Sequence, residues 1–165
     1  MTFGPGITIH GTAGRVEGDV SYPIRLVSQG TIAADAALSI PTDVGYDRFW
    51  SGNSSTESTS NAIDLSGAIA PLPQSAYQTN RYGGSFAYTI PGLTPGASYR
   101  VRLHVAEMYW NDSGRRVMNV DLNGGRVLEN FDVLAEAGGK YKAVVREFTV
   151  TADDAGRIVA AFAAV

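Results

Sequence analysis

From Ser85 to Phe162 apolar residues recur at every second position, and Gly, Pro and Asn clusters interrupt the runs. That period can be buried on one side only by a pleated strand, because successive strand side chains point to opposite faces. Phe86, Tyr88 and Ile90 share one side of a first strand, and Tyr99, Val101, Leu103 and Val105 share one side of a second. Arg100, Arg102 and His104 alternate with the second set, which places them on a wet face. The turn Pro91-Gly-Leu-Thr-Pro-Gly96 stops both ladders. Further strands read at 116–122, 127–133, 141–151 and 157–162, and the break Asn123-Gly124-Gly125 supplies the residues a tight hairpin demands. Closely spaced strands without helical runs between them predict an all-β sandwich, not a βαβ fold.

The first half is less regular. Residues 7–10 and 22–28 read as strands, and 32–38 as a helical turn or a loop. Residues 51–60 hold seven Ser or Thr and read as an exposed loop. Residues 1–22 read as an extra strand or a linker to a neighbouring domain. With 165 residues the chain is one domain's worth of protein.

Charge and composition narrow the function. A net charge of −3 does not supply the basic stripe a nucleic acid requires. No segment is apolar enough to insert in a bilayer, and Met1-Thr-Phe-Gly-Pro-Gly6 has neither the basic nor the apolar region of a signal peptide. The absence of Cys removes thiol nucleophiles and Cys-ligated metals together. His10 and His104 are the only histidines, and no nucleophile elbow or His-Glu-x-x-His motif is present. Glu107, Asp112, Asp121 and Asp132 are the carboxylates from which a glycosidase pair would have to come, but their spacing selects none. The reading is a non-enzyme without a cofactor.

Three aromatic clusters flank the strands. Tyr109 and Trp110 follow a well-patterned strand and precede the polar turn Asn111-Asp112-Ser-Gly114. Such a pair at a loop edge suits a sugar, whose C–H faces pack on rings while Asn, Asp or Arg meet its hydroxyls. It equally suits packing between sheets. Tyr77 and Tyr82 flank Arg81, and this group reads either as a ligand contact or as a cap on the end of the sandwich. The third cluster is Tyr46-Asp-Arg-Phe49-Trp50-Ser-Gly-Asn53. Asn-x-Ser sequons occur at Asn53 and Asn111.

The ordered series Tyr77-Gln-Thr-Asn-Arg-Tyr82-Gly, Phe86-Ala-Tyr-Thr-Ile-Pro91, Tyr99-Arg-Val-Arg-Leu-His-Val-Ala-Glu-Met-Tyr-Trp110, Gly114-Arg-Arg-Val-Met-Asn-Val-Asp-Leu-Asn-Gly124 and Phe131-Asp132 resembles the malectin and malectin-like domain family. The resemblance is strong over 74–162 and weaker over 23–64. It implies a jelly-roll β-sandwich of the galactose-binding-like kind over 23–165. It also implies a carbohydrate-binding module for a glucose-containing di- or oligosaccharide, at the cell surface or outside the cell and alongside other domains of a larger protein. Carried over by position, the sugar-contacting aromatics fall on Tyr82, Tyr109, Trp110 and one of Phe49 or Trp50, with Arg81, Asn111 and Asp112 as polar neighbours. An acidic residue that contacts the sugar in the family falls beyond Val165. Sandwiches of this type admit a structural calcium ion, although no ligand run here demands one. The competing reading is a structural or protein-interaction module, such as an adhesin or filament domain, that keeps the sandwich without the sugar site.

Overall fold

A computed structural model describes the backbone of residues 6–11, 24–28 and 50, and residues 51–165 in full. The strands are β1 (Gly6–Gly11), β2 (Ile24–Ser28), β3 (Trp50–Ser58), β4 (Thr79–Ile90), β5 (Ser98–Ala106), β6 (Val117–Leu122), β7 (Gly125–Asp132), β8 (Ala143–Thr151) and β9 (Ile158–Ala164). Two short helices, α1 (Gln74–Tyr77) and α2 (Val133–Ala137), lie between them. One sheet runs β2-β1-β5-β8 and the other β3-β4-β9-β6-β7. Every described pairing is antiparallel except β1 with β2.

The period-two residues meet between the sheets. Tyr99, Val101 and Leu103 of β5 and Val150 of β8 face Phe86 and Ile90 of β4, Val120 and Leu122 of β6, and Ile158, Ala160 and Phe162 of β9. Phe86 and Phe162 are register partners, and their rings stack at 5.1 Å. This is the sandwich that the alternation predicts, with a core filled from both inner faces. Asn123 and Gly124 hold φ of 48° and 79° in the β6–β7 turn, and the Asn123 side chain bridges strands by accepting from Val159 N–H at 2.7 Å and donating to Thr151 C=O at 2.8 Å.

Two expectations fail. Residues 51–58 form most of edge strand β3, not a loop. Both faces of this strand are largely exposed, so it carries no apolar alternation, and it pairs with β4 through the main-chain ladder and polar side-chain bonds. His104 is buried, not solvated. The segment between β3 and β4 lies over this end of β5, where Tyr77, Ile63, Ala106 and Ala143 make a second small core. Tyr77 Oη lies 2.8 Å from His104 Nδ1, with the rings edge to face at 5.8 Å. The expected helical turn or loop at 32–38 lies outside the described residues.

Burial pushes the Tyr77 phenol up to about 12 from its ordinary 10.0. Burial also raises that of Tyr88, with nearby Arg81 opposing the rise. A phenol that holds its proton more tightly in the folded chain stabilises the fold below its unfolded pKa, and this contribution is lost as pH climbs through the folded value. Urea denaturation between pH 8 and pH 12 is therefore expected to show stability falling from about pH 10 upward. The Tyr77→Phe variant should show a shallower fall.

Candidate functional site

β5 ends at Ala106, and the chain then crosses to β6 in the opposite sheet through residues 107–116. Glu107 and Arg116 are the two ends of this crossing. Glu107 is fully buried, and its Oε1 accepts the backbone N–H groups of Tyr109 at 2.7 Å and Trp110 at 3.0 Å. Its Oε2 lies 2.6 Å from Arg116 Nε. The Nε–H does not point along that vector, so the contact is an ion pair and not a directed hydrogen bond. Because Glu107 captures both amides, the strand stops where two aromatics follow one another. Neither ring is then driven into the core.

Tyr109 is 60% exposed and Trp110 37%, with centroids 4.7 Å apart and planes at 83°. The Arg115 guanidinium lies 5.6 Å from the Trp110 centroid. Lys140 ties the loop from outside by donating to Tyr109 C=O at 2.8 Å and Asn111 Oδ1 at 3.2 Å. Asp132 caps α2 through Leu134 and Ala135 N–H, and its other oxygen accepts from Gly114 N–H.

The facing wall comes from β4. Tyr82 is 43% exposed, and its ring lies 5.7 Å from the Arg116 guanidinium. Between Tyr82 and Ser85 the register with β3 shifts, leaving an extra residue in β4. A bulge of this kind re-aims the side chains beside it. Gly83 is required there because a Cβ would sit 2.3 Å from Asn53 C=O. Arg116 also pairs with Glu57 Oε1 at 2.9 Å, and the same oxygen accepts from Asn80 Nδ2 at 2.9 Å. Tyr82, Tyr109 and Trp110 thus line one cleft of about 610 Å³, with Glu57, Asn80 and Arg116 also on its wall.

The remaining predicted residues are placed differently. Arg81 lines the cleft but is buried, and it donates to Ser54 Oγ at 2.6 Å. Asn111 and Asp112 are exposed on the crossing loop, outside the cleft lining. The backbone of Trp50 pairs with Tyr88, six residues along β4 from Tyr82 and so about 20 Å away at the rise of a strand. Phe49 lies outside the described residues. Glu57, Asn80 and Arg116 were not singled out from sequence. The one available signal was Glu57, the lone charge in a Ser/Thr run. Three of the four carboxylates weighed for catalysis have structural partners, Arg116 for Glu107, Arg126 at 2.5 Å for Asp121 and the α2 cap for Asp132, while Asp112 is exposed on the crossing loop. Among the described residues no three His, Asp or Glu side chains gather as a metal site. No described helix is long and apolar enough to cross a membrane.

Removing one member of a buried ion pair leaves the other uncompensated, at a cost of about 3–5 kcal/mol. Glu107→Gln should lower thermal stability by an amount in that range, measured by calorimetry. Arg116→Met alone should also destabilise, and the double variant should lose less than the sum of the two singles.

Comparison with known proteins places the chain. The Malectin domain model matches residues 39–158. Receptor-like protein 4 of Arabidopsis thaliana is 34% identical over 121 residues, which are 65% of this chain and 19% of that protein. Malectin-A of Xenopus laevis is 38% identical over 69 residues, 41% of this chain and 25% of that protein. Among solved structures, the plant receptor-like kinase ANX2 aligns at TM-score 0.60 and 20% identity, over 70% of this chain and 34% of that one. A chain from the structure of the plant peptide RALF23 in complex with FER and LLG2 aligns at TM-score 0.57 and 17% identity, over 72% of this chain and 36% of that one. The chain therefore spans a quarter or less of these curated relatives and about a third of the solved chains. These solved structures share its fold, and the match across residues 39–158 makes the chain a member of the malectin domain family.

Proposed function

We propose that this domain is a non-catalytic carbohydrate-binding module that stacks a glucose-containing di- or oligosaccharide on Tyr82, Tyr109 and Trp110. One observation carries the reading: three large aromatics, each more than a third exposed, stand on the walls of one cleft. Exposed rings grouped in a concavity are costly to leave in water and match the apolar faces of a pyranose. A polar partner on the cleft wall is Arg115 beside Trp110, while Asn111 and Asp112 stand on the loop that carries both aromatics, outside the lining. The structural engagement of Glu107, Asp121 and Asp132 supports a binding role over hydrolysis, which needs two carboxylates facing the scissile bond. Family membership and the receptor-like relatives support an extracellular setting within a larger protein.

A second reading rests on the solved structure that names a plant peptide in complex with FER and LLG2, one chain of which shares this fold. In that reading the cleft takes a protein segment, as a structural or interaction module would.

Titration with nigerose and maltose, read by isothermal calorimetry alongside a glycan array, separates the two. Sugar binding is expected, with at least tenfold weaker affinity in Trp110→Ala and little change in melting temperature, since Trp110 is outside the core clusters. A folded wild type that binds no glycan would favour the interaction module. Unfolding of Trp110→Ala would instead mark that ring as structural.

A further inference from the structure

Lysine occurs in the chain only at positions 140 and 142. Lys140 is not on the cleft wall, yet it is bonded to the loop that carries two of the three cleft aromatics. Its Nζ donates to Tyr109 C=O at 2.8 Å and to Asn111 Oδ1 at 3.2 Å, and it lies 5.1 Å from the centroid of the Tyr141 ring. An ammonium can only donate, and here it finds two oxygens and an aromatic face.

The bond to Tyr109 matters because of the peptide it holds. Tyr109 C=O and Trp110 N–H belong to one planar peptide unit. Glu107 Oε1 accepts that N–H at 3.0 Å on one side, and Lys140 holds the C=O on the other. A plane held at both edges cannot swing about its Cα–Cα axis, so ψ of Tyr109 and φ of Trp110 are fixed together. These angles aim both Cα–Cβ bonds, and with them the rings that stand edge to face at 4.7 Å. Lys140 is placed in turn by the segment around α2. Asp132, the cap of α2, accepts from Gly114 N–H, and Gly138 ends the helix at φ 67°. Tyr141 N–H donates to Glu107 C=O at 2.9 Å. Residues 132–141 thus hold the crossing loop at Glu107, Tyr109, Asn111 and Gly114, and only the Lys140 tie reaches the peptide between the two rings.

We infer that Lys140 is a positioning residue for the carbohydrate site, setting Tyr109 and Trp110 in their binding arrangement before the sugar arrives and without touching it. This inference rests on the carbohydrate reading of the site and adds to it the group that orders the rim. Side chains ordered in advance lose no further freedom on binding, which raises affinity without any new contact. With the ammonium gone, the peptide is held from one side only, and the sugar itself must order the rings.

The test compares Lys140→Met with wild type in melting temperature and in affinity for nigerose and maltose by calorimetry. The substitution keeps the apolar stem and removes the charge and the donors. It is expected to weaken binding of the preferred disaccharide at least threefold and to lower the melting temperature by no more than about 4 °C, the effect of one hydrogen bond in a domain of this size. In a Trp50→Phe background Trp110 is the sole tryptophan. There Lys140→Met should enlarge the nanosecond motion of Trp110 in time-resolved fluorescence anisotropy without sugar, and saturating disaccharide should remove the difference. Acetylating folded Lys142→Arg protein, in which Lys140 is the one side-chain amine, neutralises the same group without refolding and should reproduce both effects. If Lys140→Met does not fold, the acetylated protein decides by the same two readouts. Unchanged sugar affinity overturns the inference and leaves the aromatic site standing. Weakened binding with unchanged Trp110 motion would show that Lys140 acts by some route other than positioning, which also overturns it. If the folded wild type binds neither sugar, the carbohydrate reading fails and the inference fails with it.

Discussion

The buried pair of Glu107 and Arg116 holds the site together. It joins the two ends of the chain's crossing between the sheets, and each partner does a second job. Glu107 takes up the amides of Tyr109 and Trp110, so the two rings that follow β5 are fixed in place at the rim. Arg116 reaches Glu57 on β3 and lies against the Tyr82 ring on β4. Both aromatic walls are thus referred to one ion pair. A carboxylate without solvent contact is expensive, and the cost is met here by two backbone donors and a guanidinium. The same group that a sequence reading could nominate as a catalytic acid has one oxygen bonded to two backbone amides and the other held against a guanidinium.

How the site came to be legible varies from residue to residue. Strands β4 to β9 were readable because their apolar residues alternate, and that alternation is the direct signature of a buried sheet face. β3 was not, because an edge strand of Ser and Thr has no apolar face to repeat. His104 obeys the alternation that puts it on the outer face of β5, and it is buried all the same because a non-periodic stretch before β4 packs there. Strand period tells which face a residue occupies; it does not tell what else covers that face.

The aromatics of the cleft were visible as unusual neighbours, and Tyr82, Tyr109 and Trp110 line it together. Their polar surroundings were harder to anticipate. Glu57, Asn80 and Arg116 come from β3, β4 and the end of the crossing loop, and their contacts depend on strand register and loop closure. No spacing rule along a single chain connects residues 57, 80, 107 and 116. Trp50 shows the converse. It belongs to a conspicuous aromatic cluster, but the antiparallel pairing carries its backbone to the far end of β4.

The two walls of the cleft belong to different sheets, with Tyr82 rooted in one and the Tyr109–Trp110 loop leaving the other. Its aperture is therefore a reading of the thickness of the hydrophobic layer between them, near 10 Å in sandwiches generally. Phe86 and Phe162, stacked side by side on neighbouring strands of one sheet, belong to that layer and also border the cleft. A change in the bulk of such interior residues would alter the spacing of the two walls with the surface rings unchanged. In this architecture the width of the cleft is partly written in the filling and not in the crust.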